Sequence, residues 1–198
     1  MTRNRLEAFS DGVIAIIITI MVLELKVPHE PTLAALRPLW AVLASYVLSF
    51  VNVGIYWNNH HHMLHVTHHV DGRILWANLH LLFWLSLVPF TTAWMGENHF
   101  ASAPQAVYGV VLLMAGIAYL ILQRAIIRCE GTDSLLARAV GRDIKGKIST
   151  FAYVAAIPLA FVSPWLSGML YVAVAVMWLV PDRRIENALA REPGAVAQ

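Results

Sequence analysis

Six of the nine histidines fall in one stretch, Tyr56-Trp-Asn-Asn-His-His-His-Met-Leu-His-Val-Thr-His-His69. Imidazoles ligate transition metals, carry protons and hydrogen-bond carboxylates near neutral pH. On a helix, His61 with His65, and His65 with His68 or His69, have the one-turn spacing of a zinc pair. The stretch holds no Cys or Glu to complete such a site, so hydrogen bonding to a buried acid is the stronger reading. That acid is Asp11, which opens an apolar run, Val13-Ile-Ala-Ile-Ile-Ile-Thr-Ile-Met-Val-Leu23, closed by Glu24. The run covers about 17 Å as a helix, against a bilayer core about 30 Å thick. A membrane helix built here holds both acids at or inside the boundary, where ionisable groups must face protein or water. Asp11 therefore needs a partner: the early histidines His60 and His61, or Arg5, about 9 Å before it on an ideal helix.

Other polar residues offer weaker chemistry. His80 and Asn78 could serve a proton relay, although interhelical hydrogen bonds explain them more simply. Val107-Tyr108-Gly109-Val110 faintly echoes a potassium filter, yet it begins an ordinary apolar helix rather than a re-entrant loop. No HExxH, P-loop, GxSxG or paired-carboxylate signature is present, so the chain is not expected to be an enzyme. No cofactor is expected.

The elements that must position these residues are membrane helices. Of the 198 residues 59% are hydrophobic and 13% charged, where soluble domains carry about 25% charge. The fold class is therefore all-α and polytopic. Net charge is only +2, which gives a nucleic-acid partner no electrostatic footing. Cys129 is the single cysteine and excludes an internal disulfide. Asp11 and Gly12 interrupt any signal-peptide core, so no cleavable signal is expected.

Apolar runs and breakers divide the chain into six spans. The first runs from about Leu6 to Val27, stopping before Pro28. The second begins after Arg37-Pro38 and enters the histidine stretch. The third covers about Ile74 to Met95 with Pro89 near its end, and the fourth Ala106 to about Ile127. The fifth, Ile148 to Val162, contains Pro158; the sixth starts near Trp165 and ends before Pro181. Residues 1–181 thus form one six-helix membrane bundle, and 182–198 a short, partly disordered tail. The loop from Gly131 to Lys147 reads as a short amphipathic segment at the membrane surface. With both termini in the cytoplasm, 12 of the 14 basic residues lie inside and only Lys26 and Arg37 outside, as the positive-inside rule requires.

At 100° per residue, Ile16, Ile20, Leu23 and Val27 share one stripe of the first span, with Thr19 at its edge. Asp11 points about 140° away from Ile16. Such a stripe is either bundle core or the wall of a pore; spacing alone leaves both open.

The sequence Arg5-Leu-Glu-Ala-Phe9-Ser10-Asp11 resembles the RxxxFSD signature opening the first helix of the transmembrane protein 175 family, the lysosomal potassium channel family. Tyr56-Trp57-Asn-Asn59-His60-His61 is similar to that family's YWxNHH stretch, and Leu79 to Gly96 to its third helix. The resemblance is strong over the first half of the chain and weak beyond it. It implies a potassium-preferring cation channel in the prokaryotic single-repeat form: a homotetramer in the cell membrane with potassium as the permeant ion. By the same resemblance Ile16 forms the constriction, and Thr19, Ile20 and Leu23 line further layers. Arg5, Ser10 and Asp11 are implied to form a polar network with the second-helix histidines, supported by Trp57, Asn59, His60, His61 and Asn78. The histidines after His61 lie outside the family pattern. Two other classes stand beside the channel. One is a proton-conducting or proton-coupled transport protein using Asp11, His60, His61 and His80. The other is a non-conducting sensor in which His61, His65 and His69 bind a metal.

Overall fold

A computed structural model describes residues 2–131, 134–140 and 143–179, which form helices and loops with no strand among them. The tail at 182–198, the end of the sixth span and Arg142 lie outside the described residues. In chain order the helices are α1 Arg3–Leu23, α2 Trp40–His65, α3 Gly72–Ser86, α4 Val88–Glu97, α5 Ser102–Glu130, α6 Leu135–Val140, α7 Ile144–Val162 and α8 Pro164–Leu179. A 3-10 helix at Leu33–Leu39 precedes α2.

Among the described residues five segments are long and apolar enough to cross a membrane, and the 16-residue α8 is a shorter apolar helix. One of the five is the 26-residue stretch Gly72–Glu97, expected as a single helix and found as α3 and α4 in succession. Pro89 causes the break: it lacks an N–H for the carbonyl of Leu85 and crowds the preceding turn. Leu87 accordingly serves as C-cap of one helix and N-cap of the next. The loop after Gly131 contains the six-residue α6 at the place expected for an amphipathic segment.

The helix ends follow local chemistry. α1 stops at Leu23, four residues short of the expected end, with Glu24 as C-cap. α5 ends at Gly131, whose φ of +97° only glycine adopts without strain. At the start of α7 the Asp143 carboxylate accepts the Gly146 N–H at 3.1 Å. Ser163 and Pro164 join α7 to α8 in a tight hairpin.

Two cores hold the bundle. The first joins α1, α2, α3 and α5 through Ile14, Ile17, Met21, Val53, Leu81, Leu85 and Leu122. The second joins α5, α7 and α8 around Tyr108, Tyr153 and Tyr171, with the Tyr108 and Tyr171 rings edge-on at 5.6 Å. The filter-like tetrapeptide lies within α5, with Tyr108 fully buried and Val107 and Val110 exposed, so it is ordinary helix. The outer surface carries Trp76, Phe83, Phe90, Phe151, Phe161 and Trp165, all more than half exposed. In water that surface would be costly; against hydrocarbon it is the expected exterior. α1 packs on α2, α3 and α4, while α5 packs on α3, α7 and α4. The chain is a membrane protein with α1 against one side of its bundle.

Candidate functional site: an unpartnered stripe and a polar ladder

α1 has two unlike faces. Ile14, Ile17 and Met21 are at most 3% exposed, whereas Ile16, Ile20 and Leu23 are 58%, 42% and 79% exposed. Helical period alone separates the sets, and the second contains the aliphatic stripe read from the sequence. Thr19 is also exposed, and its hydroxyl donates to the carbonyl of Ile16 at 2.9 Å. With its proton turned inward to the helix, the oxygen lone pairs remain free as acceptors. Beside the stripe runs a largely apolar groove of about 570 Å³, lined by Val13, Ile16 and Ile20 of α1 and Pro89 and Phe90 of α4, with Glu24 at its rim.

The other end of α1 meets the end of α2 in antiparallel register, one rung per turn. The Arg3 guanidinium donates to the carbonyl of His65 at 2.9 Å. The Glu7 carboxylate meets Nδ1 of His61 at 3.1 Å. The Trp57 indole N–H donates to Oδ1 of Asp11 at 3.0 Å. Residues 3, 7 and 11 thus face 65, 61 and 57, because a four-residue step keeps each helix on one face. Trp57, His61 and His65 also stack along α2, with successive ring centroids 6.2 and 6.1 Å apart.

A buried chain runs behind the ladder. Nε2 of His60 lies 2.7 Å from Oδ1 of Asn78, the Asn78 amide donates to Ser10 Oγ at 2.9 Å, and Ser10 donates to the carbonyl of Leu6 at 2.8 Å. All three side chains are at most 1% exposed. Every proton has one place in this chain only if His60 is neutral and protonated at Nε2. Its Nδ1 then carries a buried lone pair with no partner among the described residues. The chain ties α1, α2 and α3 to one another without a charge.

Several expectations need correction. Asp11 is held by Trp57 rather than by His60 or His61: the first histidine turns to Asn78 and the second to Glu7. Arg5 is exposed, and its side chain bonds to no other described residue. Asn59 donates back to Ile55 in its own helix and reaches α5 only through its carbonyl, which accepts from Tyr119. The metal spacing of His65 with His69 does not form because α2 ends at His65. The His69 ring lies instead 3.8 Å from Glu130, and the described residues contain no group of three His, Cys, Asp or Glu placed to hold a metal ion. His80 accepts from Trp84 at 2.9 Å. Asp11, His60, His61 and His80 therefore sit in four separate pairings rather than on one relay. Sequence reasoning missed Arg3 and Glu7, although Glu7 stands one turn before Asp11, as Trp57 does before His61.

Comparison with known proteins gives a consistent result. Residues 5–89 match the family model described as endosomal/lysosomal potassium channel TMEM175. A potassium channel of Chryseobacterium sp. (strain P1-3) is 54% identical over 189 residues, covering 96% of this chain and 98% of that protein. A potassium channel of Streptomyces collinus (strain DSM 40733 / Tue 365) is 34% identical over 173 residues, covering 81% and 83%. The crystal structure of a lysosomal potassium-selective channel TMEM175 homologue from Chamaesiphon minutus superposes with a TM-score of 0.80 at 29% identity, covering 91% of this chain and 97% of that one. The family model spans the Glu7–His61 and Asp11–Trp57 rungs of the ladder and the stripe and ends at Pro89, and 54% identity over 96% of the chain carries the match beyond it: the chain belongs to the TMEM175 channel family.

Proposed function

We propose that this protein is a potassium-preferring cation channel of the cell membrane, with six spans and both termini cytoplasmic. Four copies surround one axis, each contributing α1. The observation that carries the reading is the face of α1 bearing Ile16, Ile20 and Leu23, left without intrachain cover while the opposite face is packed. Four such stripes make an hourglass with a hydrophobic neck that sheds water when narrow and conducts when wide. Potassium gives up its hydration shell more readily than sodium, and the free lone pairs of Thr19 offer partial replacement ligands at the neck. The ladder and the His60–Asn78–Ser10 chain set the angle of α1 against the rest of the subunit. Relatives named potassium channels at 54% and 34% identity support the choice of ion.

The experiment is potassium flux from proteoliposomes, comparing wild type with Ile16→Asn under potassium and sodium gradients. Wild type should pass potassium in preference to sodium, and the variant should pass both faster because a polar neck stays wet. No potassium flux from either protein would overturn the channel reading. Reversal potentials that follow the proton gradient would replace potassium with protons.

A further inference from the structure

Between the first turns of α3 and the last turns of α5 lies a cavity of about 400 Å³ that neither the stripe nor the ladder touches. Arg73 of α3 and Arg128 of α5 line its outer end; Trp76, His80, Ile121 and Ala125 line the rest. From Arg73 to His80 is seven residues, about 10 Å along the helix, so the cavity passes from a basic rim to an apolar floor.

The two arginines carry the positive charge of the cavity lining, against the single carboxylate of Asp71. Neither guanidinium bonds to any other described residue. The nearby carboxylates are engaged by backbone: Asp71, which also lines the cavity, accepts the Ile74 N–H at 2.8 Å. Glu130 accepts the N–H groups of His68 and His69, each at 2.7 Å. His80 accepts the Trp84 N–H at Nε2, which leaves Nδ1 to carry its proton as a further donor. Trp76 is 76% exposed and lies about 200° around α3 from Asn78, the residue that faces α1. The cavity thus opens away from α1, and in the proposed assembly away from the pore. The proposed orientation puts its basic rim at the cytoplasmic leaflet, where anionic lipids concentrate.

We infer that the α3–α5 groove is a binding site for an anionic phospholipid of the cytoplasmic leaflet. The phosphate sits between Arg73 and Arg128, and the glycerol and upper acyl chain lie against Trp76, Ile121 and Ala125. A basic rim alone would take any anion, and an apolar floor alone any lipid; the pair selects a lipid with net negative charge. The inference rests on the orientation proposed above and not on which ion permeates.

Native mass spectrometry of the full chain purified in detergent tests it, with dioleoylphosphatidylglycerol as probe, dioleoylphosphatidylcholine as zwitterionic comparison and inorganic phosphate as competitor. Wild type should retain phosphatidylglycerol in preference to phosphatidylcholine, and phosphate should not displace it. At about 1 kcal/mol per arginine, Arg73→Gln with Arg128→Gln should weaken retention about 25-fold. Arg124→Gln removes the same charge from α5 outside the groove and should change retention less than about twofold. Ile121→Trp, which fills the floor and keeps both arginines, should also expel the lipid, so the test stands even if the double variant misfolds. Equal retention of the two lipids, or retention unchanged in the double variant and in Ile121→Trp, would overturn the site. Displacement by phosphate would make it an anion site rather than a lipid site. Binding is read in detergent, so a failure of the site is separate from a failure of potassium flux.

Discussion

Asp11 and Trp57 are joined by a 3.0 Å hydrogen bond from indole to carboxylate, which sets the register between α1 and α2. One turn away the same register brings Glu7 to His61, and two turns away Arg3 to the carbonyl of His65. The apolar stripe begins just beyond this ladder, so the ladder fixes how the stripe is presented.

Trp57→Phe keeps an aromatic ring but removes the one side-chain N–H that the Asp11 carboxylate receives among the described residues. A hydrogen bond to a charged group contributes about 1.5–3 kcal/mol, and Asp11 is half-buried, so the loss should fall near the lower end. Asp11→Asn retains an acceptor and should cost less than Trp57→Phe. Unfolding of the purified variants in detergent ranks them; a reversed order would show that the carboxylate is a burden rather than an anchor.

Asn78→Leu strands the His60 N–H in the core and takes from Ser10 Oγ the donor it accepts, while Ser10 keeps its bond to Leu6, and should destabilise by about 2 kcal/mol. Pairing it with His60→Leu removes one stranded group, so the double variant should lose less than the sum of the two single ones. A double-mutant cycle measures that coupling. Strict additivity would mean that the two residues do not support each other.

Thr19→Val preserves shape and deletes the oxygen that faces outward from α1. If the threonine lone pairs replace part of the potassium shell, the potassium-to-sodium permeability ratio should fall about fivefold, the worth of one ordinary hydrogen bond. Bi-ionic reversal potentials in reconstituted bilayers give the ratio directly. An unchanged ratio would place selectivity elsewhere along α1.

Gly109→Ala drives a methyl group into the Tyr171 hydroxyl, against which α5 is packed at this point. Overpacking of this kind costs about 1–3 kcal/mol. Tyr171→Phe removes the obstructing oxygen and gives up one bond to the Gln105 carbonyl at 3.1 Å. The double variant should therefore be more stable than Gly109→Ala alone, by thermal unfolding in detergent. No rescue would mean that the ring itself, rather than its oxygen, sets the approach of α5 to α8.

Apolar length and helical period are properties of neighbours in the chain, and they carried much of the architecture. The run from Val13 to Leu23 announces a membrane helix, and Ile16, Ile20 and Leu23 fall on one side of it by rotation alone; the structure leaves that side uncovered. Pro89 marks the place where α3 gives way to α4, because a missing N–H acts within one turn. Hydrogen-bond partners across helices depend instead on register and on the pitch at which two helices meet, neither of which a one-dimensional pattern contains. The need of Asp11 for a partner could be read from its depth, but the choice of Trp57 over two adjacent histidines could not. A slide of α2 by one turn along its axis would have set His61 opposite Asp11 in place of Trp57. The pairing of His65 with His69 failed for the same kind of reason, since it depended on whether α2 continued past His65. The cavity between Arg73 and Arg128 joins residues 55 positions apart, which only the packing of α3 on α5 brings to one rim.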